Sequence, residues 1–324
     1  MNGRKRKRIT RLFLYFLIVS FLGGCEKEVT PKDEDKTRIL YFSREKNLYQ
    51  ENNVWAQIAE GLTEEATKHD NLLLSIYEQA DSARINYDEQ VEIAISMDTD
   101  ILIAHGAISQ KTKERYQELK EAGIKLVLLD GDVPESGRIM YIGTDNKEEG
   151  RRAASLALKK IEGEIFVGIL DEQRDIKNQP VASLSDRQEG FEEIVDKSER
   201  MEVKAKETGL NSLLKVTEAA QNMLEEYPEI NLLFCTDSIT GQAAASVVKE
   251  KNLAGKVHVI CFDMTKEIKK KIQEGVIDFT MVQQTKECGK ICIQELAKRK
   301  KEEESKEIYL ECEIVTKENI EEYE

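Results

Sequence analysis

Single polar residues follow the most apolar stretches of this sequence. Asp130 follows KLVLL, and Asp263 follows VHVICF. Asp237 is separated from NLLFC by a single residue. Gln283 follows the run DFTMV, and Arg187 lies in the polar segment SDRQEG. Carboxylates and amides exchange hydrogen bonds with hydroxyl groups, and an arginine donates to oxygen atoms in a planar fork. If one cleft collects these residues, it can bind a small neutral polyhydroxy compound.

Each of these residues also has a simpler structural explanation. Asp, Ser and Thr at the start of a helix accept hydrogen bonds from unpaired backbone N–H groups, so any single aspartate can be a helix cap. For Arg187 and Asp263, the alternative is a buried ion pair with a purely structural role. The set as a whole favours ligand binding, whereas no single residue decides between the two explanations.

The elements that must position these residues alternate regularly from Arg38 onward. Apolar runs separated by amphipathic helices are typical of parallel sheets covered on both faces. The pattern occurs twice, which predicts the α/β class with two doubly wound parallel-sheet lobes, and such sheets bind ligands at the carboxyl ends of their strands. The predicted strands are RILYFS, NLLLSIY, DILIA, KLVLL, IMYIG, EIFVGIL, NLLFC, VHVICF and DFTMVQQ. The predicted helices cover residues 54–68, 83–96, 110–122, 147–160, 186–196, 213–226 and 240–251.

The amino-terminal segment predicts export and attachment to a membrane. Six basic residues precede an apolar run of eleven residues, Leu12 to Leu22, and a helix needs about 20 residues to cross a bilayer. We therefore interpret residues 1–24 as a signal peptide. The sequence LGGC, which ends at Cys25, resembles the lipobox of bacterial lipoproteins, and a cysteine with at least two acyl chains anchors a protein stably. The alternative is an ordinary cleaved signal with a chance cysteine, and the polar residues 25–37 predict a flexible linker.

Charge and composition exclude several classes of function. Removal of residues 1–24 changes the formal net charge from −14 to −20, with 42 basic against 62 acidic residues. Such a surface repels nucleic acid and anionic lipid. The cysteines lack the spacing of zinc sites, and the GxSxG, HExxH, Walker and GxGxxG motifs are absent from the sequence. We therefore predict a non-enzyme without catalytic residues, metal or cofactor, in which the five cysteines after Cys25 are buried free thiols.

From Arg38 onward, the chain resembles the type I periplasmic binding proteins of the ribose and galactose class. The signatures that recur in order are NNVWAQIAEGLTEEA, GIKLVLLDGD with YIGTDNKEEGRRAA, SDRQEGFEEIV, LLFCTDSITGQAA, VICFDMTKEI and DFTMVQQ. Members of this family capture solutes for bacterial transporters between two lobes. The resemblance therefore implies the periplasmic-binding-protein-like I fold, with three hinge crossovers between the lobes.

The resemblance also implies roles for individual residues. Asn52 and Trp55 match a polar contact and an aromatic ring that stacks on the sugar. The alternative for Trp55 is an aromatic residue of the hydrophobic core. Arg187 matches an arginine that donates to ring and hydroxyl oxygens. Asp263 and Gln283 match a hydroxyl acceptor and an amide close to the hinge.

The chain departs from the family pattern in its first lobe. After DILIA the family has an Asn-Pro segment and then an aspartate, but here the sequence is HGAIS, so the strongest hydroxyl acceptor of that lobe is absent. His105 is the candidate substitute, although a histidine at a strand end can equally be satisfied locally. Asp237 stands where many relatives have asparagine, and Asp130 completes the predicted ligand-binding set.

The full prediction is an extracytoplasmic, lipid-anchored, monomeric solute-binding protein. It captures a small neutral carbohydrate by hinge closure and delivers it to an ABC permease. The alternative is an anchored sugar sensor that signals to a membrane histidine kinase. The predicted lobes are residues 38–131 with 283–304 and residues 132–282 with 305–324, and the predicted crossovers lie near Asp130, Gln283 and Ser305.

Overall fold

Two sheets of six strands each form the framework of the protein. The structure is a computed structural model that describes residues 36–43, 54–78, 87–106, 110–171, 182–210, 212–299 and 304–323, so the predictions for the signal peptide, Cys25, Asn52 and almost all of the linker lie outside the described residues. Sheet 1 comprises β1 (Thr37–Ser43), β2 (Leu72–Glu78), β3 (Ile101–Ala104), β4 (Lys125–Leu129), β5 (Met140–Gly143) and β11 (Lys306–Tyr309). Sheet 2 comprises β6 (Ile165–Leu170), β7 (Met201–Glu207), β8 (Leu232–Cys235), β9 (His258–Phe262), β10 (Phe279–Val282) and β12 (Glu313–Thr316).

The two sheets have the same strand order. Sheet 1 runs β11-β5-β4-β3-β1-β2, and sheet 2 runs β12-β10-β9-β8-β6-β7. Sheet 1 is wholly parallel, and in sheet 2 the pair of β12 with β10 is antiparallel. The central strands are apolar and buried, as expected for parallel sheets covered on both faces. These sheets confirm the predicted α/β class with two doubly wound lobes.

Helices cover both faces of each sheet. They are α1 (Val54–Ala66), α2 (Tyr87–Ser96), α3 (Gln110–Glu121), α4 (Asn146–Lys160), α5 (Ala182–Val195), α6 (Leu213–Glu226), α7 (Ser238–Glu250), α8 (Lys266–Gln273) and α9 (Thr285–Lys298). In lobe 1, α1 and α9 share a core with one face of sheet 1, and α2 and α3 share a core with the other face. In lobe 2, α4 and α5 cover one face of sheet 2, and α6, α7 and α8 cover the other.

Glycines allow one helix pair in each lobe to pack at backbone contact. In lobe 1, a Cβ on Gly61 of α1 or Gly289 of α9 would overlap a backbone carbonyl oxygen of the facing helix. In lobe 2, the same holds for Gly150 of α4 and Gly190 of α5, and the oxygen that faces Gly150 belongs to Arg187. The position of the Arg187 backbone therefore depends on the absence of a side chain at residue 150.

The chain crosses between the sheets three times. The crossings lie at residues 144–145 after β5, at residues 283–284 after β10 and at residues 310–312 after β11. The predicted positions near Asp130 and Ser305 are wrong, because β5 and β11 still belong to sheet 1. The lobe boundaries predicted after residues 131 and 304 move accordingly to residues 143 and 309.

A buried arginine explains why β11 joins sheet 1 although its sequence KEIY has little apolar character. Arg138 Nη2 donates to Asp132 Oδ2 at 2.8 Å and to Glu307 Oε1 at 2.7 Å, and Nη1 donates to Ser305 Oγ at 3.0 Å. Asp132 lies in the loop after β4, and Glu307 lies in β11. The charged network therefore ties the edge strand to the loop, which an apolar pattern in the sequence does not reveal.

Side chains fix the backbone of the third crossing. Glu149 Oε1 accepts a hydrogen bond from the Cys312 N–H at 3.0 Å, and Arg152 Nη1 donates to the Cys312 carbonyl at 2.9 Å. Gln284 Nε2 donates to the Glu311 carbonyl at 2.8 Å, which links the second crossing to the third. These bonds satisfy backbone groups that no strand pairs.

The cysteines of the described residues are buried free thiols, which confirms the prediction for them. They are Cys235, Cys261, Cys288, Cys292 and Cys312. Burial raises the pKa of Cys261 and of Cys288 to about 12, so these thiols stay protonated at neutral pH. Across the described part of the chain, no helix has the length and apolar character that a membrane span requires.

Candidate ligand-binding site

Two aspartates stand at equivalent places in the two sheets. Asp130 directly follows β4 and Asp263 directly follows β9, and these strands hold the same position in the strand order. Both residues have a left-handed backbone, with φ of 64° and 66°. This conformation is uncommon for a residue with a side chain, although aspartate adopts it more readily than most. Each lobe therefore places an aspartate with this backbone conformation at the carboxyl edge of its sheet.

Arg187 is buried and held by several contacts. Its side chain is only 3% exposed. Nε donates to Asn146 Oδ1 at 2.8 Å, and Nη1 donates to the Thr236 carbonyl at 2.9 Å. The guanidinium carbon lies 4.3 Å from the ring centroid of Phe262. Nε and Nη1 are thus held in place, whereas Nη2 makes no hydrogen bond within the described part of the chain.

The carboxylate of Asp263 connects Arg187 to the second crossing. Asp263 Oδ2 lies 3.7 Å from Arg187 Nη1, and Oδ1 accepts a hydrogen bond from Gln283 Nε2 at 2.8 Å. Burial raises the pKa of Asp263, Arg187 and Gln283 counteract this, and the charges of Asp130 and Asp237 raise it further. Asp130 belongs to lobe 1, so the pKa of Asp263 depends on charges from both lobes.

In lobe 1, the structure brings three of the predicted residues together. Trp55 of α1 and His105, which follows β3, have ring centroids 4.9 Å apart in an edge arrangement. His105 Nδ1 lies 3.3 Å from Asp130 Oδ2 but makes no well-aligned hydrogen bond among the described residues. A Cβ on Gly131 would come within 2.6 Å of the His105 ring. The histidine therefore sits against backbone, with an unsatisfied nitrogen beside the cleft carboxylate.

Asp237 is a helix cap, which was the simpler explanation from sequence. Its Oδ1 accepts hydrogen bonds from the N–H and the hydroxyl of Thr240, both at 2.8 Å, and forms a capping box at the start of α7. Asp237 directly follows Thr236, whose carbonyl accepts the hydrogen bond from Arg187, so its backbone adjoins the other site residues. A direct contact between Asp237 and a ligand stays a prediction.

Comparison with known proteins identifies the family. The sequence model described as a periplasmic binding protein domain matches residues 47–304. The chain belongs to this family. The type I resemblance inferred from the sequence is thereby confirmed.

The relatives of this periplasmic binding protein bind sugars according to their names. It is 25% identical to the D-ribose/D-allose-binding protein of Pseudomonas aeruginosa over 191 residues, which are 57% of this chain and 58% of that relative's length. A solute-binding protein of an ABC transporter from Burkholderia graminis, solved with D-arabinose, has a TM-score of 0.77 at 22% identity, covering 89% of this chain and 98% of that one. A XylFII–LytSN complex has a TM-score of 0.69 at 24% identity, covering 87% and 98%.

Three residues that lie at the site in the structure do not belong to the set predicted from the sequence. They are Asn146, Asp171 and Thr236. Asn146 and Thr236 orient Arg187, and Asp171 Oδ1 accepts a hydrogen bond from the Thr236 hydroxyl at 2.7 Å. Asp171 and Thr236 follow β6 and β8, so the rule that points to strand ends could have found both. Asn146 follows the first crossing, whose position the sequence does not reveal.

Asp171 makes the stability of the periplasmic binding protein dependent on pH. Its side chain is almost wholly buried, and burial raises its pKa above the ordinary value. A raised pKa in the folded state means that the folded protein holds this proton more tightly than the unfolded chain does. The contribution of the residue to stability therefore falls as pH rises from the unfolded to the folded pKa, and stays low at neutral pH.

We expect Asp171→Asn to raise the free energy of unfolding at pH 7 relative to the unaltered protein. Asparagine keeps the oxygen that accepts from Thr236 but carries no charge to bury. The gain should shrink as pH approaches 4, because the aspartate is then protonated too. Urea unfolding at pH 7 and pH 4 measures both values, with the exposed Asp196→Asn as the control. An equal difference at the two pH values would contradict this explanation.

Proposed function

We propose that this protein captures a small neutral carbohydrate in the cleft between its lobes and delivers it to an ABC permease. The observation that carries the proposal is that each lobe has a cluster at the carboxyl edge of its sheet, with Trp55, His105 and Asp130 in lobe 1 and Arg187 and Asp263 in lobe 2. An aromatic ring covers the apolar face of a sugar, while carboxylates and a guanidinium bind its hydroxyl groups. The sugar-binding names of the relatives support the same substrate class.

Binding of a ligand to both clusters would favour the closed arrangement of the lobes. Such closure requires rotation at the three crossings, and Gln283, a member of the site, lies in one of them. A ligand that contacts both lobes binds the closed state more tightly and so shifts the equilibrium toward it. The closed form is then the state that a membrane partner recognises.

A thermal-shift screen of the full chain in detergent tests this proposal. The panel contains pentoses, hexoses, disaccharides, polyols and nucleosides, including D-ribose, D-allose and D-arabinose. Because a ligand that binds only the native state raises the melting temperature, at least one sugar should increase it by several degrees at saturation. The absence of a shift with every sugar would refute carbohydrate capture.

Trp55 provides a second readout, since it is the only tryptophan of the chain. We expect the active sugar to change its fluorescence. In the thermal-shift assay, Trp55→Ala should weaken the affinity by about 30-fold, which corresponds to about 2 kcal/mol. Trp55→Phe should retain part of the affinity, because a smaller ring still covers the sugar. Leu214→Ala, at an exposed position in α6, is the control and should leave the affinity unchanged. Full affinity in Trp55→Ala would exclude stacking.

We also propose that the protein is held outside the cytoplasm by lipid on Cys25. In cells that express the full chain, the unaltered protein should sediment with membranes, and Cys25→Ala should abolish this. Cys312→Ala, which changes a buried thiol instead, should sediment with membranes like the unaltered protein. Sedimentation of Cys25→Ala with membranes would argue against the lipid anchor.

A second candidate function keeps the same ligand site but changes the partner. The XylFII–LytSN complex shows a protein of this fold bound to another protein, which favours a sensor that signals to a membrane histidine kinase. Deletion of the gene separates the two candidates. Loss of sugar uptake supports transport, whereas normal uptake with loss of sugar-induced transcription supports sensing.

A further inference from the structure

The two aspartates at the cleft are held by matching hydrogen bonds from neighbouring strands. The N–H of Asp130 donates to the Ile142 carbonyl at 3.0 Å, and the N–H of Asp263 donates to the Met281 carbonyl at 2.8 Å. One residue earlier in each neighbouring strand, a hydroxyl donates to the aspartate's own carbonyl. These donors are Tyr141, at 3.1 Å from the Asp130 oxygen, and Thr280, at 2.8 Å from the Asp263 oxygen.

The two hydroxyl donors occupy equivalent places in the fold. Tyr141 is the second residue of β5 and Thr280 is the second residue of β10, and each strand leads directly into a crossing between the lobes. Both side chains are buried, with residue exposures of 3% and 0%. In lobe 1 the arrangement also requires a glycine, because a Cβ on Gly143 would overlap the Tyr141 hydroxyl. The same bond thus occurs in both lobes with different side chains.

A left-handed aspartate needs such support. For residues other than glycine this conformation costs roughly 1 to 2 kcal/mol. A return to negative φ would turn the side chain in another direction, so the ligand would lose its carboxylate. In the left-handed form, the backbone carbonyl of each aspartate points at the hydroxyl of Tyr141 or Thr280. The resulting hydrogen bond therefore favours this form.

We propose that Tyr141 and Thr280 are positioning residues that hold Asp130 and Asp263 in the left-handed conformation and thereby aim their carboxylates into the cleft. The expected effect of these residues on ligand affinity rests on the proposed function. Because β5 and β10 continue into crossings, the same bonds connect ligand contacts to the segments that must rotate when the lobes close. The hydroxyls themselves do not contact the ligand.

A double-mutant cycle on the full chain tests the structural part without any ligand. Thr280→Val should lower the melting temperature by a few degrees, since it removes the buried hydroxyl that donates to the Asp263 carbonyl and has weaker contacts with the carbonyl and thiol of Cys261. In an Asp263→Gly background the same change should cost less than half as much, because glycine adopts positive φ without support. Thr280→Ser should restore the unaltered value. Equal costs in both backgrounds would overturn the inference.

Sugar affinity tests the functional part. With D-ribose, D-allose and D-arabinose as probes, Tyr141→Phe and Thr280→Val should each weaken binding by about two- to tenfold, the equivalent of one net hydrogen bond. Thr217→Val removes a hydroxyl-to-carbonyl bond within α6 and should leave the affinity unchanged. Unchanged affinity in both cleft variants would overturn the inference. Absence of binding by the unaltered protein would instead refute the proposed function, and the ligand-free cycle would still decide the positioning role.

Discussion

Arg187→Ala should abolish sugar binding and destabilise the folded protein by about 3 kcal/mol. The substitution removes the donors to Asn146 and to the Thr236 carbonyl, each a buried hydrogen bond of about 1 kcal/mol. It also leaves the Asp263 carboxylate without its cation, and loss of one partner of a buried pair costs more than the pair contributes. Affinity should fall at least 100-fold, as measured by the thermal shift with the active sugar.

The same variant should respond differently to pH. Without Arg187, which lowers the pKa of Asp263, that pKa rises further above the unfolded value. The destabilisation should therefore be largest at neutral pH and should decrease as pH falls, because protonation removes the uncompensated charge. Arg187→Lys separates charge from geometry. It should recover part of the stability but little of the affinity, since lysine cannot reproduce the planar fork.

Arg151→Ala is the matched control for Arg187. Arg151 lies on α4 and pairs with Glu193 on the exposed side of the lobe. Its loss should change stability little, because exposed ion pairs are screened by solvent, and should leave sugar affinity unaltered. If the two variants behave alike, the buried contacts of Arg187 do not account for its effect.

Gly150→Ala should destabilise lobe 2 strongly, with a loss of about 3 kcal/mol. The added Cβ overlaps the backbone carbonyl of Arg187, and backbone cannot move aside as a flexible side chain can, so α4 and α5 must separate. Because the oxygen belongs to Arg187 itself, affinity for the active sugar should fall as well. Urea unfolding and the thermal shift measure the two effects.

Gly163→Ala distinguishes a steric clash from the general cost of replacing glycine. Gly163 has φ of 76°, and a Cβ there would meet no atom within 4 Å. Its replacement should cost about 1 kcal/mol through backbone strain alone and should leave the sugar affinity unchanged. A smaller loss in Gly150→Ala than in Gly163→Ala would show that the helices can separate easily.

Most of the fold follows from apolar patterning, and the exceptions share a cause. The buried central strands are predicted because helices on both faces require apolar residues along the whole strand. β7 and β11 are edge strands with several exposed residues, and their sequences MEVKAKE and KEIY have no continuous apolar run. The first crossing cannot be located from sequence either, since β5 has the same apolar pattern as a strand of either sheet.

The site is predicted to the extent that it depends on strand ends. Trp55, His105 and Asp130 come together in lobe 1 and Arg187, Asp263 and Gln283 in lobe 2, but their contacts with a ligand stay predictions. The roles of Asn146 and Thr236 depend on the position of Arg187, which is set by helix packing at Gly150. Thr236 contributes its backbone carbonyl, a group that every residue type has, so the residue type does not predict this role. Side-chain chemistry is visible in a sequence, whereas backbone acceptors become visible only in the fold.

Neither lobe is a continuous piece of the chain, and this sets the order of events during synthesis. Sheet 1 gains its sixth strand, β11, only at residues 306–309, and Cys288, Cys292, Ile293 and Leu296 of α9 complete its core shortly before. The ribosome must therefore have synthesised the chain through residue 309 before lobe 1 can complete its native fold. Lobe 2 differs in this respect, because its strands β6 to β10 follow one another without interruption and only β12 is added later.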